Sequence, residues 1–257
     1  MAGMYTTHMH LPRMVDMKEK VAEFWQEEAS LSQPRKHTLQ PIVTGTSVLG
    51  IKCRDGVVVA ADTLGSYGSL ARFRDISRLM KVNDSTIIGG FGDYADFQFI
   101  MKLLEQQTID DNVVGDGVYR DAPSIHNWLR CVLYNRRSKM NPLWNTIVVA
   151  GRDFAGKPYL GYVDKIGVSF TDKSVATGFG SYIAQPMMRK AMEENPNMSV
   201  EEAKRLMERC LKVLFYRDCR SLNRFQIGVV TETESSISDP ISAETDWSIG
   251  ANPSGYE

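Results

Sequence analysis

The sequence predicts an α+β fold: two packed antiparallel sheets between helix layers, a four-layer αββα sandwich. Three observations carry this expectation. Short β-rich runs are joined by tight turns, the hairpin signature of antiparallel sheets. Helical stretches arrive in consecutive pairs, and each pair suffices to cover one sheet face. The order along the chain is strands, two helices, strands, two helices, strand, which suits sheets face to face with helices outside. Periodicity supports these elements without fixing the order of the layers.

The elements follow in order. Runs at 46–53 and 57–62 are β-rich and are joined by Arg54-Asp55-Gly56, a hairpin signal. Residues 85–90 read as another strand. Residues 93–109 read as a helix, with Phe97, Ile100, Met101 and Leu104 at helical spacing. Residues 124–140 read as a second, with Ile125, Trp128, Leu129 and Leu133 on one stripe. Its basic end, Arg136, Arg137 and Lys139, suits the helix dipole and needs no nucleic acid to explain it. Strands return at 144–150, 159–163 and 167–170. A third helix is expected at 181–194, with Pro186 in its opening turn or kinking it. The fourth opens with a capping box, Ser199 and Glu202, and its stripe runs Ala203, Leu206, Met207, Cys210, Leu211, Leu214. A last strand covers 224–231. Residues 1–37 are rich in Met, His, Lys and Glu with little periodic order; a disordered tail and a removable or docking leader both fit them. Residues 38–237 form the body. Residues 238–257 are polar and read as an extended tail carrying spaced apolar anchors, Ile241, Trp247 and Ile249.

Composition narrows the function classes. At 257 residues one domain with a substantial core is in range. The apolar share of 43% and charged share of 24% are those of an ordinary soluble globular chain. With 30 basic and 31 acidic residues, the balance gives no electrostatic case for nucleic acid or a membrane surface. No apolar run is long enough for a membrane span, and no secretory or import signal is expected. Cys53, Cys131, Cys210 and Cys219 make no CxxC pair or metal spacing and read as buried free thiols. His8 and His10 lack nearby cysteine or carboxylate ligands, so no metal and no cofactor is expected.

The passage Thr44-Gly45-Thr46-Ser47-Val48, followed by Gly56-Val57-Val58-Val59-Ala60-Ala61-Asp62, resembles the opening of proteasome beta subunits, N-terminal nucleophile (Ntn) hydrolases of the threonine peptidase kind. The resemblance covers about residues 38–247. More particular matches lie at 65–73, at 92–97, in Tyr216-Arg217-Asp218 and in Arg136-Arg137-Ser138-Lys139-Met140-Asn141-Pro142-Leu143-Trp144-Asn145-Thr146. These resemble the non-catalytic members at the seventh beta position of the eukaryotic ring.

The resemblance implies an Ntn-hydrolase fold and a known chemistry. Active members cut themselves at Gly-Thr, and the freed threonine attacks with its hydroxyl while its own amine acts as base. A lysine tunes that base and an aspartate holds the lysine. Thr46 aligns with the nucleophile and Asp62 with the aspartate, but Arg78 stands at the lysine position. Phe179, in Thr177-Gly178-Phe179-Gly180, stands where active members carry a small hydroxyl residue; its bulk is expected to crowd the nucleophile. Asp218 and Ser221 match the supporting pair. Gly92 matches the oxyanion glycine, with Asp93 replacing the next one and bringing a carboxylate near the developing charge.

Each match also has a plain structural reading. Asp62 caps a turn, Thr46 is a strand threonine, Asp218 pairs with Arg217 or Arg220, and Arg72, Arg74 and Arg78 form a solvated or inter-subunit strand face. With the lysine and the hydroxyl residue gone, no catalytic residue is expected. The alternatives are an active threonine peptidase with Thr46 as nucleophile and a stand-alone amidohydrolase. The resemblance further implies a non-catalytic role in the 20S core, whose chamber degrades proteins in the ubiquitin- and ATP-dependent pathway. The partners would be other alpha and beta subunits in a 28-subunit double ring in cytoplasm and nucleus, with polypeptide substrates passing through. It also implies leader removal near His37 and Thr38 and a C-terminal tail that reaches the facing ring.

Overall fold

The structure is a computed structural model that describes residues 40–115 and 117–248. The expected leader at 1–37, the cleavage point at His37 and Thr38, and Ile249 lie outside the described residues.

In chain order the first strands are β1 (Val43–Gly45), β2 (Val48–Cys53), β3 (Gly56–Asp62), β4 (Gly65–Tyr67), β5 (Leu70–Phe73), β6 (Leu79–Asn83) and β7 (Thr86–Asp93). Helices α1 (Tyr94–Val114) and α2 (Ala122–Ser138) follow, then β8 (Asn145–Arg152), β9 (Pro158–Val163), β10 (Ser169–Thr171) and β11 (Ser174–Ala176). Helices α3 (Gly180–Glu194) and α4 (Val200–Arg217) precede β12 (Phe225–Thr231) and β13 (Ser235–Ile237). One sheet runs β10-β9-β8-β7-β1-β4-β5, with β6 also on β7; the other runs β11-β2-β3-β12-β13. Every pairing is antiparallel.

The layering follows from strands apolar on both faces. In β3, Val57, Val59 and Ala61 point into the space between the sheets, while Val58 and Ala60 point outward against α3 and α4. In β8, Val148 and Ala150 join the inner layer and Ile147 and Val149 pack toward α1 and α2. The period-two alternation therefore builds three apolar layers among four structural ones. The helices close the outside with the expected stripes: Phe97, Ile100 and Leu104 on α1, and Ala203, Met207, Cys210 and Leu214 on α4.

Local chemistry sets the helix ends. The side chain of Asp93 accepts from the Ala95 and Asp96 N–H groups, so Asp93 caps α1 rather than lying inside it. The helix runs on to Gly115, whose left-handed φ of 67° stops it five residues past the expected end at 109. Asp121 caps α2 through the Ser124 N–H. The capping box of Ser199 and Glu202 opens α4 as expected, and Pro186 lies inside α3.

Three expectations need correction. Strands β1, β4, β5, β6, β11 and β13 were not anticipated; each has only three to five residues, too few to carry a pattern of its own. Cys53 and Cys210 are buried free thiols, but Cys131 and Cys219 are exposed. Burial pushes the Cys210 thiol up to about 12, so it is inert in the core. Arg78 is not on a strand face with Arg72 and Arg74; it is buried.

His126 ties α2 to the larger sheet. Its Nε2 bonds the Tyr162 carbonyl at 2.9 Å, so that nitrogen must carry the proton. Nδ1 then accepts from the Tyr159 hydroxyl at 2.7 Å. Burial lowers the pKa of the imidazole. A depressed folded-state value means that the unfolded chain takes up the proton first. The contribution of neutral His126 is therefore full above the unfolded value of about 6.5 and declines as the pH falls below it. Thermal unfolding of the purified subunit from pH 8 down to pH 5 should show a falling midpoint. His126→Gln should flatten that decline.

Candidate functional site

The residues singled out by the sequence converge where β1 turns into β2, β3 ends and α4 ends. Arg78, just before β6, lies at the centre with 1% of its surface exposed. Its guanidinium has five N–H donors, and the structure supplies five acceptors. Nε donates to the Asp62 carbonyl at 2.9 Å. Nη1 donates to the Thr46 carbonyl at 2.5 Å and the Gly90 carbonyl at 3.3 Å. Nη2 donates to the Ser47 carbonyl at 3.1 Å and to Oδ1 of Asp62 in a buried ion pair. A buried charge is tolerated only when paired and fully hydrogen-bonded, and both conditions are met.

Asp62 is held from its other side. Its Oδ2 accepts the Leu222 N–H at 2.9 Å, fixing the loop after α4. Burial pushes the Asp62 carboxyl above its ordinary value, while the charge of Arg78 and the Leu222 N–H pull it down.

Asp218 is the C-terminal cap residue of α4. Its Oδ2 accepts the Thr46 hydroxyl at 2.6 Å, and its Oδ1 accepts the Arg220 N–H at 2.9 Å. Its carboxylate thus meets the Arg220 backbone, not an arginine side chain as one plain reading expected. Ser221 donates to the carbonyls of Asp218 at 2.8 Å and Leu214 at 3.2 Å, closing the turn that aims the Asp218 carboxylate. Thr46, Asp62, Arg78, Asp218 and Ser221 therefore form one bonded cluster.

Phe179 is 58% exposed and stands at the N-terminal cap of α3. Its position supplies no hydroxyl, and the N–H of Gly180 beside it bonds Oγ of Ser47 at 2.8 Å. The Oδ1 of Asp93 is engaged by the α1 N-terminus and its Oδ2 accepts the Ile42 N–H at 3.0 Å, so the carboxylate anchors the segment before β1.

Sequence reasoning missed β1 itself. Val43–Gly45 is a strand inserted between β4 and β7, with Thr44 opposite Ser66 and Asp93, and Gly45 opposite Gly92. The residues just before Thr46 thus fill the slot in which an extended peptide would add to both strands. The Thr46 nitrogen is a peptide nitrogen in this arrangement, and a peptide nitrogen is no base. The chemistry on view is fixation: the hydroxyl is bound by Asp218 and the carbonyl by Arg78.

Comparison with known proteins decides the family. The family described as "Proteasome subunit" matches residues 42–230. The chain belongs to the proteasome subunit family. As a proteasome subunit it assembles with other proteasome subunits in the core particle, and its two antiparallel sheets and flanking helices are the Ntn-hydrolase fold. It is 55% identical to "Proteasome subunit beta type-4" of Xenopus laevis over 224 residues, covering 87% of this chain and 92% of that protein. The protein of the same name from Dictyostelium discoideum is 49% identical over 217 residues, covering 84% and 83%. "Probable proteasome subunit beta type-7" of Schizosaccharomyces pombe is 44% identical over 232 residues, covering 89% and 88%.

The cluster has a packing consequence. A Cβ on Gly45 would run into Cδ and the guanidinium of Arg78, which five hydrogen bonds hold still. Gly45→Ala should therefore cost about 1–3 kcal/mol. Arg78→Lys keeps the charge but has three donors on one atom and leaves buried carbonyls unpaired, at about 1–3 kcal/mol for each. Urea midpoints of the purified subunit should drop for both variants, and the Arg78→Lys loss should be the larger.

Proposed function

We propose that this proteasome subunit is a non-catalytic, structural beta subunit of the 20S core. It contributes a wall of the chamber in which other subunits cut polypeptides. The observation that carries this reading is Arg78. It occupies the position of the catalytic lysine with all five donors engaged, one of them on the Thr46 carbonyl. A group so bound has no proton to exchange with a threonine amine. The relatives named "Proteasome subunit beta type-4" support the reading of this chain as a beta subunit.

The full chain in this reading is processed upstream of Thr46 by an active neighbour near His37 and Thr38, leaving β1 in its slot. Its particle is the double ring of 28 alpha and beta subunits, found in cytoplasm and nucleus. Replacing Thr46 with Ala in the assembled particle should leave cleavage of acidic, basic and hydrophobic peptide substrates unchanged. Selective loss of one specificity would falsify the reading in favour of an active threonine peptidase. Intact mass of the native subunit should likewise place the mature N-terminus before Thr46.

We further propose that the C-terminal tail acts as a clasp between half-assemblies. Residues 238–247 run along the body: Ile241 pairs with Phe225, Asn223 holds both backbone groups of Ala243, and Trp247 lies edge-on to Tyr216 and Phe215. This stretch gives the last residues a fixed point of departure. Truncation after Ser248 is a cleaner test than removal from residue 240, because it spares the buried Ala243. The truncated subunit should keep its unfolding midpoint and slow the pairing of half-particles. Normal pairing kinetics would show the tail to be passive.

A further inference from the structure

The hairpin of β4 and β5 is built unlike the rest of the larger sheet. Strand β5 is its terminal strand, and none of its four residues is buried. Large apolar groups nevertheless crowd it: Leu70 is 64% exposed, Tyr67 44% and Phe73 41%. The Arg72 guanidinium lies 5.7 Å from the Tyr67 ring and 5.5 Å from the Phe73 ring, so two aromatic faces hold it in place. It has no carboxylate partner among the described residues. Arg74 is exposed and donates from Nε to the Ala71 carbonyl at 3.3 Å. The one nearby acid, Asp75, is paired with Arg224 at 3.2 Å. An open strand edge with exposed apolar side chains invites pairing, and natural proteins cover or charge such edges.

We infer that the β4–β5 hairpin is a docking surface for an extended, carboxylate-bearing segment of a neighbouring proteasome subunit, received by Arg72 and Arg74 and packed on Tyr67, Leu70 and Phe73. The inference rests on the reading of this chain as a core-particle subunit. Three features select this occupant. The free side of β5 offers a backbone ladder that an extended peptide completes and a nucleic acid does not. The two unpaired guanidinium groups favour an acidic partner and match carboxylates in bidentate fashion. A second copy of this chain on the same surface would set arginines against arginines, which disfavours a self-complementary contact. Preordered arginine and aromatic side chains are also the residue types that dominate interface energetics.

The test uses the full chain in cells that assemble the particle. A photo-cross-linking amino acid replaces Leu70, and Arg72→Glu/Arg74→Glu is examined in parallel. The cross-link should join this chain to another proteasome subunit, within a few residues of an Asp or Glu. The charge-reversed chain should enter particles about tenfold less than the wild type, as the loss of one well-placed charge contact implies. Reversal of the identified acid to Lys should restore entry. A cross-link to a second copy of this chain, to nucleic acid or to passing substrate overturns the inference, as does the absence of any cross-link. Normal entry of the charge-reversed chain also overturns it while leaving the proposed function standing. Failure of the wild type itself to enter particles removes both. An unchanged unfolding midpoint of the charge-reversed chain shows that any loss of entry is not misfolding; should the midpoint fall, the Leu70 cross-link alone decides.

Discussion

A guanidinium placed in a protein interior must be paired and must have every N–H satisfied, or it costs several kcal/mol. Arg78 meets that demand with the Asp62 carboxylate and four carbonyls drawn from β3, the β1–β2 junction and β7. Much of the local architecture follows from this. Asp62 must end β3 where Arg78 arrives, and the Leu222 N–H must come to its second oxygen. Gly45 must lack a side chain because Cδ of Arg78 fills the space. The chain entering Thr46 is thereby held from two directions: Arg78 on its carbonyl and the β4 and β7 ladders on β1.

The sandwich makes such a cluster possible. Two sheets apolar on both faces exclude water from the ends of β2, β3 and β7, so a charge introduced there has only protein groups for solvation. The helices contribute at their termini. The end of α4 presents Asp218 to Thr46, and the start of α1 orients Asp93, which then takes hold of Ile42. Side chains that could serve a reaction are instead committed to joining elements. This gives a threonine, two aspartates and a serine structural reasons to keep their places.

The same logic runs outward. The buried guanidinium of Arg78 is saturated by its own chain, whereas Arg72 and Arg74 are presented on aromatic and backbone supports with charge to spare. Charge left unpaired at a sheet edge is a feature that a partner surface can complete.

The amino-acid sequence by itself determined the helices, their apolar stripes and the capping box that opens α4, because these depend on spacing within a few residues. It also determined the long strands, since runs such as Val57-Val58-Val59-Ala60-Ala61 suit only a strand buried on both faces. The replacement of lysine by Arg78 and of a small hydroxyl by Phe179 was legible as a change of residue type. Only the tertiary structure decided what those changes do. Arg78 sits among residues that read as an exposed basic face, and nothing local reveals five acceptors gathered from distant segments. Phe179 is exposed at the start of α3, and Asp93 caps α1. Strand β1 exists because its pairing partners, β4 and β7, lie well beyond it along the chain, so no window of sequence around it contains the reason it forms.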